Sequence, residues 1–220
     1  MTALTGPAET VPEVKLETST KGGRTRERIL DVAYDSIIHK GFAGTSIDEL
    51  VEAAGITKSG FFYHFKDKND LARQLFDRFL SEDEQIIDTL ETRARELSDD
   101  PLQSFLIFLN LYAQMMDDME TLHPGCMVAS VTYQDRMFDA DVRQMNIDYL
   151  MRMRERFGRW LGEIAAVSPP RHEIEMTDLA DALTGIVEGA IVLSKALGDE
   201  GLMGRQMRIY RNHIRLLFGG

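Results

Sequence analysis

The sequence predicts an all-α chain: an N-terminal three-helix helix-turn-helix unit followed by a larger C-terminal helical bundle. Three observations predict it. Apolar residues recur at spacings of three and four almost without interruption from Arg24 onward. No stretch alternates apolar and polar residues over a strand's length, and no internal repeat stands out. Two short amphipathic segments meet at Gly55 behind a longer one, the pattern of a helix-turn-helix.

The elements follow in order. Residues 1–22 are rich in Thr, Glu, Pro and Gly without periodicity and are expected to form a disordered tail. In the first helix Ile29, Leu30, Ala33, Tyr34, Ile37 and Ile38 share one face, and Gly41 is placed to stop it in a left-handed conformation. Thr45 with Asp48, or Ser46 with Glu49, has capping-box spacing for a second helix, in which Ile47, Leu50, Val51 and Ala54 form a buried stripe. Gly55 breaks that helix, and Thr57 caps a third, from Lys58 to about Phe65. A long helix, straight or kinked, is expected from beyond Asn69 to Leu97, ended by Asp99-Asp100-Pro101. Helices over about 102–119, 126–134, 140–167, 177–197 and 202–218 complete the chain, divided as 1–22 tail, 23–70 head and 71–220 body.

Composition narrows the class. With 44% hydrophobic and 28% charged residues, the 220-residue chain reads as soluble and globular. No apolar run approaches the ~18 residues that span a bilayer, and no signal-peptide pattern opens the chain. A single cysteine, Cys126, excludes an internal disulfide framework and suits a cytoplasmic location. The net charge of -11 is uneven: residues 21–73 hold nine Lys/Arg against eight Asp/Glu, while residues 74–220 hold fifteen against twenty-five. The head is thus the one part that does not repel a polyanion.

Within the head, Gly41-Phe42, Thr45-Ser46 and the run Leu50-Val51-Glu52-Ala53-Ala54-Gly55-Ile56-Thr57-Lys58 fall in register with Phe61, Phe65, Lys68 and Leu71. On these residues the segment 25–71 resembles the DNA-binding domain of the TetR family of bacterial transcriptional regulators. Gly125-Cys126-Met127 is similar to a feature of some members. The body is similar only in kind, as a variable helical domain for ligand binding and dimerisation.

The chemistry of the third helix agrees. Thr57, Lys58, Ser59 and Gly60 form its N-terminal end, where exposed N–H groups favour a phosphate or a base acceptor. Gly60 is expected to permit close approach to the groove, and Lys58 to meet a guanine or a neighbouring phosphate. The resemblance implies phosphate contacts from Tyr63, His64 and Lys68, with Arg24, Thr25 and Thr45 as further backbone contacts. Many members carry tyrosine where this chain has Phe62, so that hydroxyl is missing. Phe61 and Phe65, at i and i+4, face the three-helix core, and Asp48 faces away from the duplex or acts as a cap.

In the body, Phe108, Leu109, Tyr112, Met115, Met116 and Met119 share the central helix, with Cys126, Met127, Val131 and Trp160 as expected neighbours. Taken singly, the methionines are core residues. The resemblance implies that together these side chains line a cavity for a small, mostly apolar effector. It also implies a homodimer through the last two helices, with Leu183, Ile186, Val187, Ala190, Met207, Tyr210, Ile214 and Leu217 at the interface. His123 and Cys126 form no metal cluster with a companion, and no Gly-rich phosphate loop or nucleophile–base pair marks an enzyme. No cofactor is implied. The expected function is a sequence-specific, homodimeric repressor released from a pseudo-palindromic operator by its effector. An activator, a redox- or electrophile-responsive regulator acting through Cys126, and a helical interaction module without ligand are the alternatives.

Overall fold

A computed structural model of the chain describes residues 21–119 and 121–219, so the expected tail falls outside the described residues except at 21 and 22. Those two residues open helix α1 (Lys21–Gly44) instead. Ile29, Leu30, Ala33 and Ile37 of α1 are buried. The helix is interrupted at Gly41, whose φ of 79° and ψ of 164° differ from the expected left-handed helical turn. A side chain is doubly excluded there: its Cβ would also lie 2.8 Å from Oε1 of Gln134.

Helix α2 (Ile47–Ala53) starts with a capping box between Ser46 and Glu49. Thr45 is unavailable for that role because it is buried, with its hydroxyl donating to the Gly41 carbonyl at 3.0 Å and lying 2.9 Å from Ser36 Oγ. Helix α3 (Lys58–His64) is capped by Thr57, which accepts from the Gly60 N–H at 3.1 Å. Helix α4 (Lys68–Leu97) is capped by Asp67 and runs 30 residues without the break its length suggested.

The body continues with α5 (Pro101–Asp117), α6 (Met127–Tyr133), a 3-10 turn at Asp135–Met137, α7 (Ala140–Val167), α8 (Met176–Leu197) and α9 (Leu202–Phe218). Asp100 and Asp139 cap α5 and α7 with their carboxylates. Helix α5 is central, packed against α4, α7 and α9, because residues on most of its circumference are apolar. Phe105, Phe108 and Trp160 cluster in this core with ring centres 5.0–6.0 Å apart. Gly204 lets α9 seat closely on α5, since a Cβ would strike Asp117 and come within 3.0 Å of the Ala113 carbonyl. Helices α1 and α4 belong to both halves: each starts or ends in the head and also touches the body.

Candidate functional site

Helix α3 divides its aromatics by face. Phe61 and Phe65 are buried under it, whereas Tyr63 is 82% exposed and Phe62 49% exposed. His64 is half-buried, its ring edge-on to Tyr63 at 4.9 Å. Thr57, Lys58 and Ser59 are exposed at the start of the helix, and Arg24 is exposed at the start of α1, with Thr25 half-buried beside it. Lys58 is held by Asp48 of α2 at 2.7 Å, so Asp48 is a partner on the same surface and not a cap. Between two exposed side chains such a pair is weak and readily exchanged for a phosphate or base.

Three of the residues expected at the DNA surface are placed otherwise. Thr45, 1% exposed, lies inside the head, bonded to Gly41 and Ser36. The Gly60 Cβ position points back at Thr57 and Ile56, at 3.4 and 3.8 Å, ordinary contact distances, and its N–H is spent on the Thr57 cap, so its lack of a side chain opens no outer face. Lys68 turns inward: its ammonium donates to the Phe42 carbonyl and sits 4.2 Å above the Phe42 ring. Burial pulls its pKa below the usual lysine range, against the opposing charge of Glu49.

Phe42 also joins head to body. Its N–H donates to Gln134 Oε1 at 3.0 Å, and its ring stacks on Phe138 with centres 4.4 Å apart. Beside this joint Arg73 of α4 meets Asp139, the cap of α7, at 3.3 Å. Neither Gln134 nor Phe138 carries a local sequence signal for this role, because the contact spans 92 residues.

The body encloses a cavity of about 490 Å³ reached from α1, α4, α5, α6, α7 and α8. Tyr112, Met115, Met116, Met119 and Cys126 line it, as the sequence suggests. Phe108, Leu109, Met127, Val131 and Trp160 do not: all are buried in the surrounding core, where Phe108 and Trp160 pack against each other. Tyr34, Phe79, Asp83, Tyr149 and Glu188 are among the further wall residues that the sequence reading missed. A signal existed for two of them. Asp83 falls at i+4 from Phe79 and i−4 from Ile87, and Glu188 at i+4 from Thr184 and i−3 from Ile191, so each carboxylate interrupts an inward stripe.

Burial raises the pKa of Asp83, opposed by a hydrogen bond from the Tyr149 hydroxyl, and burial likewise raises that of Glu188, opposed by the Cys126 thiol. The Cys126 thiol is pushed far up, first by burial and then by the Glu188 charge, and is therefore held protonated. Burial and the charge of Lys195 lower the pKa of His123, whose Nδ1 accepts from the Gly125 N–H at 3.2 Å. Among the described residues no three His, Cys, Asp or Glu side chains gather as a metal site.

The residues expected at a dimer interface mostly face the wrong way for it. Leu183, Ala190, Met207, Tyr210, Ile214 and Leu217 are buried within the chain, and Leu183 and Val187 line the cavity. Tyr210 is fixed inside by donating to the Leu179 carbonyl at 2.7 Å. Ile186 and Val187 are half-buried. The outward face of α8 carries a second stripe, Ala182, Gly185, Gly189, Val192, Leu193 and Ala196, without a charged side chain, and α9 exposes Ile209 and Leu216. Among the described residues no helix is long and apolar enough to cross a membrane.

Comparison with known proteins agrees with this architecture. The family model described as "Bacterial regulatory proteins, tetR family" matches residues 29–75, which span α1 to the start of α4. The HTH-type transcriptional regulator AcrR of Shigella flexneri is 38% identical over 61 residues, 28% of either chain, so that likeness concerns a short segment alone. An HTH-type transcriptional regulator of Bacillus subtilis (strain 168), YvkB, is 24% identical over 89% of this chain and 96% of its own. A TetR-family regulator structure from Agrobacterium tumefaciens superposes with a TM-score of 0.73 over 88% of this chain and 98% of that one, at 21% identity, and shares the fold. The helix-turn-helix head thus matches the tetR family in sequence over residues 29–75, and the head with its all-helical body shares the fold of a TetR-family structure over nearly the whole chain.

Proposed function

We propose that the chain is a homodimeric repressor that reads a pseudo-palindromic operator through α3 and is released when a small effector fills the body cavity. The observation that carries this reading is the sharing of helices. Tyr34 of α1 and Leu75, Phe79 and Asp83 of α4 line the cavity, and the same two helices frame the reading head. An occupant that presses on Phe79 also presses on the helix that begins at Lys68, three residues after α3's own C-cap, Phe65. The Phe42–Phe138 stack and the Arg73–Asp139 pair tie the head and the start of α4 to the connection between α6 and α7, from which such a movement would dislodge them. The effector acts only if it binds the DNA-incompetent arrangement more tightly than the competent one.

The DNA contacts fitting this geometry are Arg24, Thr25, Thr57, Lys58, Ser59, Tyr63 and His64, with Lys58 and Ser59 aimed at bases and Tyr63 at a phosphate. Pairing the outer faces of α8 and α9 across a two-fold axis builds a four-helix interface from Gly185, Gly189, Val192, Leu193, Ile209 and Leu216. The small residues permit close helix approach, and the two-fold sets the spacing of operator half-sites.

The burial of Cys126 and its protonated state favour a ligand-filled switch over an electrophile sensor. The test is selection of preferred duplexes from a random pool by the purified protein. An inverted repeat bound by two chains is expected. Selection of no sequence, or of a single asymmetric half-site bound by one chain, would refute the reading.

A further inference from the structure

The polar groups of the cavity point to the charge of its occupant, an inference that rests on the cavity being the effector site. Asp83 on α4 and Glu188 on α8 both open into it, near enough that Glu188 feels the charge of Asp83. Neither has a lysine or arginine partner among the described residues. Arg78, the cation in the wall, is taken up by Glu27 at 3.1 Å, Asp31 at 2.8 Å and Glu82 at 3.7 Å. Tyr112 is 9% exposed, and its hydroxyl has no hydrogen-bond partner among the described residues although it lies within electrostatic reach of Asp83, Cys126 and Glu188.

Carboxylates half-buried without a cation are unfavourable, and both are already driven toward their neutral forms by desolvation. An anionic occupant would face Asp83 and Glu188, the two wall carboxylates without a cationic partner, and is repelled. A neutral apolar one fills the volume and leaves Asp83 and Glu188 with only the hydrogen bonds of Tyr149 and Cys126. A positive group relieves both at once, and the rings of Tyr34, Phe79, Tyr112, Tyr149 and Phe157 offer faces that attract cations. We propose that the cavity binds an apolar cation, a protonated amine or quaternary ammonium on a hydrophobic body, with the charge held between Asp83 and Glu188 and steadied by Tyr112.

The test uses three probes of one shape: 4-phenylbenzylamine (cationic at neutral pH), 4-phenylbenzyl alcohol and 4-phenylbenzoate. Calorimetric titration of the full chain should rank the amine roughly ten-fold tighter than the alcohol, with the carboxylate weakest. In the isosteric double variant Asp83→Asn/Glu188→Gln the amine should fall to within about two-fold of the alcohol, whose own affinity stays unchanged. Should the double variant fail to fold, the ranking on the native chain decides alone, with Tyr112→Phe expected to weaken the amine more than the alcohol. An alcohol or carboxylate that binds as well as the amine would overturn the proposal, as would an amine preference that survives the double substitution. If the alcohol binds without an amine advantage and also weakens binding to the selected duplex, the effector-site reading stands and the cation inference fails. If no probe binds, the inference fails, and the effector-site reading is then judged by whether a cavity-filling Val187→Trp variant, folded as the native chain is, alters duplex affinity.

Discussion

In the head, charged side chains lie at the surface and answer one another across short distances, as Lys58 does with Asp48 at 2.7 Å. In the body, Asp83 and Glu188 turn inward onto a cavity that gives them no cation. The head is a small unit whose seven-residue helices are fixed by Ser46 and Thr57 caps and by the buried Phe61 and Phe65. The body surrounds a cavity of about 490 Å³. The difference teaches where each half is sensitive: the head to packing and backbone geometry, the body, on the proposed reading, to what enters it.

Truncation of a ring should separate the two most strongly. Phe61→Ala removes a fully buried side chain from a small core and should cost about 3–5 kcal/mol in denaturant unfolding, with loss of duplex binding. Phe79→Ala, already beside open volume, should cost about half as much, because less of a new void is created. Equal losses would show that the body is packed as tightly as the head.

At the joint between them, Gly41→Ala should destabilise by about 1–3 kcal/mol, since alanine is strained at a φ of 79° and crowds Gln134. Thermal unfolding monitored separately in head and body should show the head transition moving further.

Replacing Asp139 by Ala should cost about 1 kcal/mol by removing the α7 cap, which accepts from Val142 N–H at 2.9 Å. The hydrogen bond from Val142 and the Arg73 partner hold the Asp139 carboxyl below the usual carboxylate range. Its stabilisation is therefore complete above the pKa of an unfolded aspartate and fades as pH falls through the lower folded value. A pH series of unfolding midpoints on native and Asp139→Ala chains should converge at low pH.

Smallest in stability is Lys58→Ala, within about 0.5 kcal/mol because its pair with Asp48 is exposed. Its effect should appear instead as a changed duplex preference, read by repeating the selection with the variant.

What was legible in the sequence follows the same division. Caps such as Ser46 and Thr57 act over three residues, so their spacing announces them. The inward stripe Met207, Tyr210, Ile214 and Leu217 was equally plain, but which partner an apolar stripe meets is decided by tertiary packing. Here it meets the chain's own core, while the outward stripe from Ala182 to Ala196, rich in small residues, is left at the surface. Thr45 and Lys68 sit at positions where a surface was expected, and only contacts with Ser36 and Phe42 reveal that they are structural. The cavity carboxylates were visible as breaks in two inward stripes, yet nothing local tells a wall residue from one at a helix edge.

The central claim is that cavity and head share one equilibrium. The most direct measurement is the affinity of the selected duplex with and without saturating 4-phenylbenzylamine, paired with the affinity of the amine with and without duplex. The account predicts that the amine weakens duplex binding by a factor in the range of roughly 5–150, and that duplex weakens amine binding by the same factor. Duplex affinity that stays unchanged while the amine occupies the cavity would contradict it.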